Sequence, residues 1–91
     1  MRAIRLAHDD DVAVVVGPAR VGDLVAVMGT GEAATLSARE ALPQHHKVAL
    51  TALPVGHKVR RAGVVIGALN APVEAGDLVH VHNLQSLRGG G

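Results

Sequence analysis

The chain of 91 residues contains no cysteine, phenylalanine, tryptophan or tyrosine. Without cysteine there is no disulfide, no thiolate metal ligand and no thiol nucleophile. Without aromatic rings there is no platform on which nucleobases stack. Nor is there a Trp or Tyr to anchor an interface from this side. Charge of one sign is missing too: nine Lys and Arg against eight Asp and Glu leave a net charge of +1, with the signs interspersed. No basic stripe tracks a phosphate backbone, so nucleic acid is not an expected partner. The run Val12–Val16 is as long as any apolar stretch becomes, far short of the ~20 residues of a membrane helix. The N-terminal residues meet His8 and three aspartates at once, which is no signal-peptide pattern. The expected compartment is therefore the cytoplasm.

What is present is small and β-prone: 15 Val, 15 Ala, 10 Leu, two Ile and two Met make up 48% of the chain. A single domain is expected over residues 1–88, followed by a flexible glycine tail at 89–91. Folding at this length buries only about 60–65% of the unfolded surface, so a partner protein is an expected source of stability. Strands are predicted at Val12–Val16, Asp23–Val27, Lys47–Leu50, His57–Arg61, Val64–Leu69 and Leu78–His82, separated by Gly/Pro corners. Ala62-Gly63 reads as a hairpin tip. One helical turn at most is expected, over Leu36–Leu42, with Ser37 as its cap and Pro43 as its stop. The fold class is all-β.

An internal repeat supplies its own control. Pro18-Ala-Arg-Val-Gly22-Asp-Leu-Val-Ala-Val27 and Pro72-Val-Glu-Ala-Gly76-Asp-Leu-Val-His-Val81 share the frame P-x-x-x-G-D-L-V-x-V, and Pro54-Val-Gly56 is a shorter third copy. Where the first copy continues with Ala26 and Met28, the last carries His80 and His82. On a strand these two would share a face about 6.6 Å apart, within reach of one divalent ion or one substrate. Two solvated histidines at an exposed strand end are the plain alternative. His45, His46 and Lys47 gather donors suited to an anionic group where a strand begins; a polar loop before a buried strand is the alternative there. His8 with Asp9, Asp10 and Asp11 reads as an acidic loop capping the Val12 strand, since adjacent aspartates on a strand diverge. No nucleophile–base pair and no phosphate cradle is visible. The pattern suits a chain that contributes part of a shared site.

Together these segments resemble the small SAF-type domain of the altronate/galactarate dehydratase family. The residues that carry the resemblance are Asp10-Asp11-Val-Ala-Val-Val-Val16, Leu42-Pro-Gln-His-His46-Lys-Val-Ala-Leu50, Val59-Arg-Arg-Ala-Gly63-Val-Val-Ile-Gly67 and Ala75-Gly-Asp-Leu-Val-His80-Val-His82-Asn83-Leu. His45 replaces a glycine of the family pattern, which implies a differently bent turn. Arg61-Ala62-Gly63 stands where the family has Lys-Tyr-Gly, and the His8 segment is one residue short.

The resemblance implies a β-clip of short strands and a lyase subunit active only with a large dehydratase subunit. The activity implied is elimination of water from a sugar acid or related hydroxy acid, assisted by a divalent metal, Fe2+, shared with that partner. His46, His80 and His82 would be catalytic, and Lys47, Arg61 and Asn83 would bind substrate. His80 and His82 would also be metal ligands. The small subunit of a sulfolactate sulfo-lyase and a free-standing, non-catalytic carboxylate-binding module are the alternatives. Self-association of the isolated chain also stays open.

Overall fold

The computed structural model describes residues 1–86, so the glycine tail expected at 89–91 lies outside the described residues. Nine short strands form: β1 (Arg2–Arg5), β2 (Val12–Val15), β3 (Leu24–Gly29), β4 (Ala34–Ser37), β5 (Lys47–Ala49), β6 (Lys58–Arg61), β7 (Val64–Leu69), β8 (Leu78–Val79) and β9 (Leu84–Gln85). They make a six-stranded sheet ordered β4-β3-β1-β2-β5-β8 and a three-stranded sheet ordered β6-β7-β9. The fold is all-β, and no helix occurs among the described residues.

Alternation along the strands sorts the apolar residues into two cores. On one face of the larger sheet Ala3, Ala13, Val15, Val25, Val27 and Val48 pack with Ala19, Ala38 and Leu42. On the opposite face, Val12, Ala49 and Val79 pack under the smaller sheet with Leu53, Val59, Leu69 and Val73. The smaller sheet thus covers only the β2-β5-β8 end of the larger one.

The corners are the organising device, and the turn that begins at Pro43 joins the three copies of the repeat as a fourth. The turns Arg20–Asp23, Pro43–His46, Pro54–His57 and Glu74–Asp77 each close with a bond from the fourth N–H to the first carbonyl, 3.0–3.2 Å. Their third residues all have positive φ: Gly22 at 88°, His45 at 71°, Gly56 at 86° and Gly76 at 95°. A type II turn demands this backbone, and glycine usually supplies it. In each corner the third N–H donates to a carbonyl (of Ala38, Val15, Leu69 and Ala49 respectively). That same residue's N–H returns a bond to the fourth carbonyl. Two positions beyond each turn stands a fully buried valine: Val25, Val48, Val59 and Val79. The residues just before the turns pair as isolated bridges, Ala19 with Leu42 and Leu53 with Val73. His45 therefore does not bend its turn differently; it takes up the glycine conformation.

Two further expectations are corrected. Leu36–Leu42 forms no helical turn. Leu36 pairs with Val25 in β4, and Ser37 pairs with Leu24 instead of capping anything. Ala38 then exchanges bonds with the first corner, so the backbone is satisfied across the sheet before a helix begins. The last predicted strand is shorter than Leu78–His82. It ends at Val79, because the Asn83 amide takes the next positions: its Oδ1 accepts the His80 N–H at 2.9 Å and its Nδ2 donates to Leu78 O at 2.8 Å. Residues 80–83 become a turn, closed by the Asn83 and Leu84 N–H groups on His80 O. β1, β4 and β9 were not among the strands predicted.

Candidate functional site

The strand register brings the histidines together. β5 and β8 run antiparallel with Lys47 opposite Val79 and Val48 opposite Leu78, so His46 and His80 meet as the next pair beyond the ladder. Their ring centres lie 4.6 Å apart at 53°. The pair that converges is thus His46 with His80, from two corners, rather than His80 with His82 along one strand. His82 is exposed on the 80–83 turn, close enough that its charge acts on His80.

The corner chemistry explains why an imidazole can stand at position 46. In the first and fourth corners the last residue is an aspartate whose carboxylate caps the first N–H: Asp23 accepts from Arg20 at 2.8 Å and Asp77 from Glu74 at 2.7 Å. In the second and third corners the first residue is Pro43 or Pro54, which has no N–H to cap. The fourth position is released from that task and holds His46 or His57. His57 pairs with Asp11 at 3.2 Å. His46 Nδ1 lies 3.2 Å from Gln44 O; a carbonyl only accepts, so Nδ1 carries the proton and a neutral His46 presents a bare Nε2.

Around this pair the charge is positive. Lys47 is half-buried, and burial, reinforced by the Arg61 guanidinium, lowers its pKa from the ordinary lysine value. The His80 pKa is lowered by desolvation first, then by the charges of His46, Lys47 and His82. Among the described residues the ion pairs are Arg39 with Asp77 and His57 with Asp11; Lys47 and Arg61 take part in neither. Cations that enter no ion pair among the described residues make a place for an external anion.

Arg61 is delivered by the β6–β7 hairpin. Its tip has positive φ at Ala62 (55°) and Gly63 (75°), the two-residue turn expected from the sequence. The tip is fastened by a residue read from sequence only as part of an acidic cap. Asp10 is 7% exposed and accepts from the N–H groups of Ala62 at 2.7 Å, Gly63 at 2.8 Å and Ala7 at 3.0 Å. Burial pushes its pKa up, but those backbone donors outweigh it and the net shift is downward. Asp11 adds a bond from Arg60 N at 2.8 Å. Asn83, expected to bind substrate, is 7% exposed with its amide on the backbone of its own turn. His8 is exposed.

Among the described residues no three His, Asp or Glu side chains form a group able to hold a metal. Two imidazoles on one tetrahedral ion have ring centres ~5 Å apart, and the His46–His80 pair, at 4.6 Å, has that spacing. An open depression lined by Met1, Pro18, Ala19, Arg20 and Asp23 shares no residue with this cluster. Among the described residues no helix is long and apolar enough to cross a membrane.

The molecule is a small all-β domain of paired corners that carries a cluster of histidines and Lys47 where β5 and β8 meet. Residues 1–87 match the altronate/galactarate dehydratase SAF domain. The chain belongs to that family, and its context is that of a sugar-acid dehydratase, a hydro-lyase. No curated protein matches the chain.

Proposed function

We propose that the chain is the small subunit of a cytoplasmic sugar-acid hydro-lyase and forms one wall of an active site completed by a large dehydratase subunit. The observation that carries this reading is the His46–His80 ring pair beside Lys47 and Arg61, two cations that enter no ion pair among the described residues. Lys47 and Arg61 hold the substrate carboxylate. They stabilise the charge that builds on it when the adjacent C–H is deprotonated. His80, kept neutral by its surroundings, is fitted to accept a proton or to donate a lone pair. His82, exposed on the turn, protonates the departing hydroxyl. Asn83 holds the turn that presents both histidines. A divalent ion such as Fe2+, bound by His80 with His46 or His82 and by groups of the large subunit, would polarise the substrate carboxylate and leaving oxygen.

The test is to purify the chain with the large dehydratase polypeptide from the same genome, supply Fe2+, and measure keto-acid release from altronate and galactarate, and sulfite release from sulfolactate. Turnover that needs both polypeptides is expected. Full turnover by the large polypeptide alone, or none on any hydroxy acid, overturns the reading. Sulfite release would move it to the sulfo-lyase. Sugar-acid binding by the chain with no turnover would move it to a non-catalytic module.

A further inference from the structure

The larger sheet has an uncovered end. Opposite the first core, β3 presents Leu24, Ala26 and Met28, β1 presents Arg2 and Ile4, and β2 presents Val14, because their neighbours Val25, Val27, Ala3, Ala13 and Val15 are the buried ones. Register lines up Met28 with Ile4, Ile4 with Val14 and Val14 with Lys47. A row of three apolar side chains thus crosses three strands and ends on the site lysine, roughly 14 Å in all. Leu24 is 67% exposed and Met28 47%. Ile4 and Val14 are half-buried, and the smaller sheet, which covers the β2-β5-β8 end, leaves the β3 end of the row open.

We infer that this row, Met28–Ile4–Val14 with Leu24 beside it, is the surface on which the large subunit docks, and that the docking segment is apolar with a carboxylate-bearing rim. The inference rests on the functional reading above and places its interface. The charges bordering the row are Arg2, Lys47 and Arg61, and none has an ion pair among the described residues, so complementarity calls for acidic groups opposite. A second copy of this chain fits worse. Laid head-to-tail, each copy's Lys47 would meet the other's β3–β4 end, where Thr35 and Ser37 pair with Ala26 and Leu24 and carry no carboxylate. Laid in parallel, Lys47 would face Lys47. A stable interface takes about 800 Å² from each partner, more than this row provides. Contact must therefore continue past Lys47 onto the histidine cluster, where Val81 is 79% exposed at the turn. Docking on the row would close the catalytic wall in the same step.

The experiment compares binding of the large dehydratase polypeptide, by calorimetry and gel filtration, to the wild-type chain, L24E/M28E, R2E and V55E. Far-UV circular dichroism and amide NMR spectra confirm folding, which exposed positions should preserve. L24E/M28E should weaken binding at least tenfold, and R2E should weaken it severalfold with a reduced dependence on salt. V55E, on an exposed corner of the smaller sheet, should bind like wild type. Wild-type binding retained in L24E/M28E overturns this surface while leaving the functional reading intact. A wild-type chain that binds no large polypeptide overturns both. A wild-type homodimer dissolved by L24E/M28E overturns the assigned occupant.

Discussion

Replacing Asp10 by Asn tests whether one buried carboxylate holds the hairpin that carries Arg61. Oδ2 of Asp10 accepts from Ala7 and Ala62, and Oδ1 accepts from Gly63. An Asn in the same rotamer keeps one oxygen. In its better orientation it retains the first two bonds as neutral ones and turns an NH2 against the Gly63 N–H. Hydrogen bonds to a charged group contribute about 1.5–3 kcal/mol and neutral ones about 0.5–1.5. Weakening two and losing one, with a buried donor left facing a donor, comes to about 3 kcal/mol. A chain of this length has about 5–14 kcal/mol in total, so the variant should remain folded but melt at clearly lower urea.

The pH dependence gives a second reading of the same bond set. The folded pKa of Asp10 lies below its ordinary 3.8. Its contribution is therefore complete above pH 3.8 and is lost as pH falls through the folded value. Asn does not titrate, so the gap between wild type and D10N should be constant from pH 7 to pH 5 and close below pH 3.8. Urea unfolding followed by far-UV circular dichroism suits a chain without aromatic residues. A D10N stability within 1 kcal/mol of wild type at pH 7, or a gap that does not narrow in acid, would refute the reasoning.

His80 should titrate below the ordinary histidine range in NMR, and His46→Ala should move it back upward; unchanged titration would separate the two rings. Because the folded chain binds that proton less readily than the unfolded chain, stability should rise as pH climbs toward 6.5. Gly22→Ala and Gly76→Ala share a positive φ, but a Cβ at Gly22 meets nothing within 4 Å whereas at Gly76 it falls 2.0 Å from Ser37 O. The first should cost about 1 kcal/mol and the second should prevent correct folding, as seen in denaturant melts. His82→Ala should lower turnover of the assembled enzyme at least tenfold, measured with the large polypeptide at saturation; wild-type turnover would remove His82 from the reaction.

Much of the frame could be read from residue order. Gly22-Asp23 and Gly76-Asp77 announce their corners, Ala62-Gly63 announces the hairpin, and the family resemblance spans nearly all of the chain. β1 and β4 escaped notice because Arg2–Arg5 and Ala34–Ser37 carry few β-branched residues and are held by pairing, β1 between β3 and β2 and β4 at the sheet edge against β3, a tertiary effect. The end of β8 escaped because the alternation Leu78-Val-His80-Val-His82 is a good strand pattern. Asn83, from beyond it, diverts the backbone. The second corner was legible as a turn after Pro43, but His45 hid its likeness to the other three, since glycine is the letter one searches for. Asp10 was hidden because its partners lie more than fifty residues away at Ala62 and Gly63.

The placement of His46 follows from an exchange between backbone and side chain. A corner that begins with a residue bearing an N–H needs an acceptor at its fourth position, and the first and fourth corners use Asp23 and Asp77 for this. Proline at the first position removes the donor. The fourth side chain can then change without leaving an orphan N–H. Both corners that begin with proline have histidine there, and only one of those histidines, His46, stands opposite a second imidazole. The same exchange makes Pro43 testable as a residue that permits the site rather than forms it. Pro43→Ala restores an N–H with no carboxylate to receive it. Chain stability should fall by about 1 kcal/mol, and His46→Asp in that background should recover it while abolishing the ring pair. A double variant no more stable than Pro43→Ala alone would show that the four corners are not governed by one rule.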